Sequence, residues 1–375
     1  MSKAMGRVFP AFFVGVLLLA LIPFTADAGQ GVEYRQALPG YRFAFPQDHY
    51  AHPDFKTEWW YFTGHLTAAD GRRYGYELTF FRFGVDVKAA VKSPSAWAIR
   101  HLYFAHFAVS DLEGKRFYYA DRLNRAALGR AGAAPDHLRV WNGDWSLEGD
   151  GEGVRLRAED GPFALDLTLA AERAPVIHGA DGISRKGAGR GQASHYYSLT
   201  RLRTRGTLTV SGRPEPVTGL SWMDHEFGSN QLPPDQVGWD WFGLQLKDGS
   251  DLMLYRIRLR GGEVDPHSSG TLVLADGESV HLPVGAVSVE ITDRWTSAAS
   301  GAEYPMGWRL RVPARDLDLR VIPSFPEQEL DTRRSTRVIY WEGSVRVHGT
   351  ARGRPIQGQG YVELTGYAHP FDKKI

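Results

Sequence analysis

The chain of 375 residues contains no cysteine. That absence excludes disulfides, a thiol nucleophile, thiolate metal sites and a lipid-modified cysteine at a leader cleavage site. Charge of one sign is also missing: 44 Lys and Arg stand against 43 Asp and Glu, so bulk electrostatics gives no case for nucleic acid. Beyond Phe24 no apolar run is long enough to span a membrane as a helix. The Gly-x-Ser-x-Gly elbow, Ser-x-x-Lys and His-Glu-x-x-His are all absent, the last because Ser229 stands where the second histidine would be. No metal or cofactor is called for.

What is present begins with a leader. Lys3 and Arg7 precede an apolar stretch from Val8 to Phe24, and Ala26-Asp27-Ala28 offers a small-x-small cleavage site. The expectation is a signal peptide over 1–28 and a mature chain that is periplasmic or secreted. Eleven Trp, sixteen Tyr and nineteen Phe give a heavy aromatic load, suited to buried area and to pockets for apolar ligands.

The densest stretch is Glu58-Trp59-Trp60-Tyr61-Phe62-Thr63-Gly64-His65-Leu66. In a strand, Glu58, Trp60 and Phe62 share one face, and Trp59 and Tyr61 the other. Both faces are aromatic, so both should be covered, one by a barrel interior and one by a second layer. A large β core and an aromatic pocket beside Glu58 both fit this pattern. Trp239-Asp240-Trp241-Phe242-Gly243-Leu244-Gln245-Leu246 aligns with Trp59 to Leu66 without a gap, and each copy runs into an Asp-Gly turn. Such spacing suits two domains of similar build, expected here at 29–212 and 213–375.

Most other segments read as short strands separated by turns, which predicts an all-β fold of barrels. One helix is expected over 121–128. Arg256 and Arg258 suggest an outer barrel face, with Tyr255, Ile257 and Leu259 inward. The Gly-rich segment 175–192 satisfies no phosphate-loop pattern and reads as a surface loop, or a lid. His49 and His52 lie three apart in a Pro-rich loop without a near carboxylate pair, a poor metal motif.

The richest chemical stretch is Trp222-Met223-Asp224-His225-Glu226-Phe227. Asp224 and Glu226 share a face with His225 opposite, and a carboxylate against aromatic walls becomes a usable general acid. A polar turn satisfying backbone groups is the plainer alternative.

Glu58 to Leu66, Trp222 to Gly228, Gly238 to Phe242, Tyr340-Trp341-Glu342-Gly343 and Gly360 to Tyr367 together resemble the AttH-like branch of the CrtC/AttH lipocalin-like superfamily. The resemblance implies two lipocalin-like β-barrel domains and an apolar ligand, isoprenoid- or lipid-like. It also implies either carotenoid 1,2-hydratase-like or secreted-hydrolase chemistry, or a non-catalytic carrier beside an ABC-transporter permease complex. His225 with Phe227, and Tyr255 followed by Arg256, only partly match the hydratase pattern, so Asp224 or Glu226 is expected to supply the acid. The candidate catalytic residues are therefore Asp224, His225, Glu226 and Tyr255. The candidate ligand-binding residues are Glu58, Trp59, Trp60, Tyr61, Trp222, Trp239 and Trp241.

Overall fold

A computed structural model of the protein describes residues 34–85, 99–149, 153–230 and 232–371. The leader expected at 1–28 lies outside the described residues. Period-two alternation of large apolar residues dominates the chain, and it folds into two curled antiparallel sheets, a near-barrel and a half-barrel. Among the described residues the only helical pieces are single 3-10 turns.

Each aromatic strand sits at the centre of its own sheet. Thr57–Ala68 pairs on one side with its hairpin partner Arg73–Gly84 and on the other with the late strand Arg213–Gly228. Gln236–Leu246 pairs in the same way with Asp251–Leu259 and the late strand Arg354–Thr365. Outward from there the strand orders match again. Ala193–Val210 and Phe163–Ala171 follow in the first sheet, Ile339–Ala351 and Leu317–Pro323 in the second. The repeat in sequence is thus a repeat in topology.

Each sheet wraps its own core, around Trp60, Phe62 and Trp145 in the first and Phe242, Trp308 and Trp341 in the second. A third cluster lies between the sheets and joins Tyr61, Tyr196 and Trp222 to Trp241, Met253, Tyr255, Ile257 and Tyr361. The two faces of Glu58–Phe62 divide as the alternation predicts. Trp60 and Phe62 enter the first core, and Tyr61, with Trp59 packed beside it, meets the second sheet.

Arg213–Gly228 is hydrogen-bonded into the first sheet, and the change of sheet falls between Gly228 and Gln236. Three expectations need correction. The segment 121–128 forms no α-helix: as far as Arg125 it belongs to the edge strand Arg116–Arg125, paired with His101–Asp111 because the tight turn after Asp111 returns the chain alongside a partner, and a single 3-10 turn follows at Ala127–Gly129. Tyr255 and Ile257 face the first sheet, whereas Arg256 and Arg258 lie on the face of Leu252 and Leu254, where Arg258 pairs with Asp240. Finally, the Gly-rich segment is no free loop. Its pieces Val176–Ile177 and Ser184–Arg185 pair with Ala193–Val210, and Lys186 is buried beneath it.

Candidate functional site

The strand Arg213–Gly228 carries the chemistry to both of its faces. In register, Asp224 lies between Tyr61 and Ser198, His225 between Trp60 and Tyr197, and Glu226 between Trp59 and Tyr196.

The face toward the second sheet holds Asp224 and Glu226, each only 4% exposed. Asp224 accepts hydrogen bonds from the Tyr196 hydroxyl at 2.5 Å, from Trp222 Nε1 at 2.6 Å and from Ser198 Oγ. Burial nevertheless wins over these donors, and neighbouring Glu226 adds to it, so the Asp224 pKa is pushed up to about 7. The Tyr196 oxygen accepts in turn from Trp241 Nε1 at 3.0 Å, which links the pair to the second sheet. Glu226 Oε1 lies 3.3 Å from Lys186 Nζ. That ammonium sits 3.9 Å from the centre of the Tyr255 ring and 5.2 Å from that of Tyr196. Burial alone would discharge Lys186, but Glu226 and Tyr255 outweigh it and its pKa is raised. The Tyr255 hydroxyl itself is occupied by Ser184 and Ser269, each at 3.0 Å.

Three further acids share this seam. Glu342 accepts from the Tyr61 hydroxyl at 2.8 Å. Glu77 accepts from Thr79 at 2.7 Å, and Glu363 from Thr365 at 2.9 Å. Burial raises Glu77 to about 8 and Glu363 to about 7, and burial with Glu77 and Glu363 nearby holds Glu342 well above the usual range. Trp241 meets Tyr61 edge-on at 5.2 Å and Trp222 at 6.0 Å. The arrangement is a buried, aromatic-walled seam furnished with carboxyls that are protonated near neutrality. Such groups can donate a proton to a weakly basic atom.

The opposite face is a separate network. Glu58 is held by Arg82 Nε at 3.0 Å, His52 Nδ1 at 2.7 Å and His225 Nε2 at 3.0 Å. Burial opposes its charge, but Arg82 and the two histidines keep Glu58 far below the usual carboxylate range. His52 also bonds Asp48 at 3.0 Å, and these two carboxylates overcome burial to lift His52 to about 9. Ligand atoms of His52, Glu58 and His225 lie within 4.8 Å of one another, as a metal would require. Both imidazoles, however, point their nitrogens at the Glu58 oxygen, whose charge Arg82 already balances. The set therefore reads as an ion-pair network.

The structure thus brings Asp224, Glu226 and Tyr255 together with Trp59, Tyr61, Trp222, Trp239 and Trp241. It places His225, Glu58 and Trp60 behind the strand, inside the first sheet. Sequence reasoning did not single out Lys186, Tyr196 or Glu77 for this site. Lys186 lay in a Gly-rich segment that suggested a surface, and Tyr196 and Glu77 gain their partners only across strands.

A family model for AttH-like proteins matches residues 36–367. Among curated proteins, kievitone hydratase of Fusarium solani subsp. phaseoli is 24% identical over 230 residues, which is 60% of this chain and 63% of that protein. The match therefore spans less than two thirds of the length of that relative. A solved structure of a candidate AttH protein from Nitrosomonas europaea is 35% identical with a TM-score of 0.80, covering 89% of this chain and 99% of its own. Kievitone hydratase from Nectria haematococca shares the fold at 17% identity and a TM-score of 0.69, over 90% of this chain and 97% of its own. With its family match running almost from end to end of the described residues, the chain belongs to the AttH-like family.

Proposed function

We propose that the protein adds water to an alkene of an apolar, isoprenoid-like molecule held in the seam between its two sheets. The observation that carries this reading is Asp224: a buried carboxyl, pushed up to about 7, bonded by Trp222 Nε1 and the Tyr196 hydroxyl and paired across strands with Tyr61. Hydration of an alkene needs a proton delivered to carbon, a cation tolerated while it lasts, and a base for the entering water. Asp224 in its acid form supplies the proton, and the aromatic walls stabilise the cation. Glu226, paired with Lys186 at 3.3 Å, takes the proton of the attacking water. The proton and the hydroxyl end on adjacent carbons, and the proton taken up by Glu226 returns to Asp224, which closes the cycle. The relationship to kievitone hydratase supports the reaction class. A non-catalytic carrier would have no use for acids turned into the seam. Export through the 1–28 leader belongs to the same proposal, and fractionation of cells expressing the full chain tests it.

The test of the chemistry is turnover. Purified protein incubated with isoprenoid alkenes should yield the tertiary alcohol, seen as the gain of one water in the mass spectrum. Asp224→Asn keeps the shape and removes the proton, and should cost about a hundredfold or more in rate. Full turnover by D224N would end this assignment.

A further inference from the structure

At one end of the seam the two sheets part into a cleft of about 550 Å³, within the size range of small-molecule sites. Its lining includes Arg73, Lys247, Arg346 and His348 but no Asp or Glu. Arg73 is half engaged by Glu113 at 2.9 Å, and Lys247 bonds only the neutral Gln357, at 2.8 Å. The lining is therefore an electropositive recess, and a recess concentrates its field.

Its position gives it meaning. Side chains two residues apart on a strand share a face. Arg73 shares its face with Glu77 and Arg346 with Glu342, on one strand from each sheet, and Lys247 directly follows the strand that carries Trp241. The cations of the cleft and the acids of the seam are thus opposite ends of one surface. Four residues of extended strand, about 13 Å, separate Arg346 from Glu342. Between the ends stand His65 and Ser344, bonded at 2.9 Å, and the ring of Tyr361. Gly75 makes room for that ring, since a Cβ there would lie 2.2 Å from the Tyr361 hydroxyl.

We propose that the cleft binds the anionic group of the substrate, a phosphate or a carboxylate, while the apolar remainder reaches the acids by displacing the Tyr361 ring from its packing against Gly75. The substrate class is then an anionic amphiphile rather than a neutral hydrocarbon. This rests on the seam being the reaction site, but the binding can be measured without turnover.

Geraniol, geranyl monophosphate and inorganic phosphate are titrated into the intact protein by calorimetry. Geranyl monophosphate should bind at least about tenfold more tightly than either of the others. The double variant K247A/R346A, with a melting temperature like that of the parent, should lose that advantage. Glu113→Gln, which releases Arg73, should tighten geranyl monophosphate by about two- to threefold. Equal affinity for geraniol and its phosphate overturns the proposal, as does a double variant that binds both as the parent does. Inorganic phosphate binding as tightly as geranyl monophosphate overturns the continuity of cleft and seam. If geranyl monophosphate binds as described but no alkene is hydrated, the hydratase reading fails and the anion site stands.

Discussion

Asp224 shows how one side chain is set by competing terms. Three donors would normally hold a carboxylate acidic, yet complete burial raises it to about 7. If its acid form delivers the proton, kcat should fall about tenfold for each pH unit above roughly 7. A pH profile measured between 5.5 and 9 checks this, and a flat profile would remove Asp224 from the role. On the far side of the same strand, Arg82 and Glu58 are both about 1% exposed. Removing the cation with Arg82→Met leaves a buried, uncompensated carboxylate and should cost roughly 3–5 kcal/mol in urea unfolding. The double variant E58Q/R82M should recover part of that loss. The split between these two sites was legible in the sequence. Period-two alternation alone separates Asp224 and Glu226 from His225, and Trp59 and Tyr61 from Trp60. The identity of the partners was not, because Tyr196, Lys186 and Arg82 approach from strands far away in the chain.

At the scale of elements, the two sheets are fastened by a clamp outside the aromatic seam. Asp251 opens the strand Asp251–Leu259 of the second sheet, and it is gripped by Arg201 at 2.8 Å and Arg173 at 3.1 Å from the first. Burial raises Asp251 to about 6 against the pull of Arg201. Arg201 also donates to the carbonyls of Leu246 and Ser250, at 2.7 and 3.1 Å, so it closes the hairpin that Asp248-Gly249 turns. Arg201→Met should destabilise the protein by roughly 3 kcal/mol, and D251N/R201M by less, since no lone charge then stays buried. Equilibrium unfolding of the parent and the two variants decides, and equal losses would mean that the clamp is not a charge effect. The alternation of Arg201, Arg203 and Arg205 in the sequence predicts a solvated face, which holds for Arg203 and Arg205, both exposed. Arg201 departs from it because a bulge after Leu199 shifts the register there and the second sheet covers its end. The strand Arg116–Arg125 departs from the helix expected over 121–128 for a related reason: edge pairing, not local pattern, sets its conformation.

For the molecule as a whole, the seam makes stability depend on pH in an uncommon direction. Asp224, Glu77 and Glu363 are raised from ordinary values of 3.8, 4.5 and 4.5 to about 7, 8 and 7. A folded state that binds protons more tightly than the unfolded one gains stability at low pH. It loses that gain as pH rises through the folded values. Glu58 works oppositely, because its pKa is depressed on folding, so its contribution fades as pH falls below its ordinary 4.5. Buried histidines with depressed pKa, such as His106 and His178 at about 3, act in the opposite sense below their ordinary 6.5, so the acids are read above it. The melting temperature should fall by roughly 5 °C between pH 6.5 and 8.5. Glu77→Gln together with Glu342→Gln removes two of the protons at issue without changing shape, and should flatten the decline. A melting temperature that holds steady or rises between pH 6.5 and 8.5 would mean that water reaches these acids in solution. The seam would then be an open channel instead of a dry junction, and Asp224 would lose the burial on which its acidity at neutral pH depends.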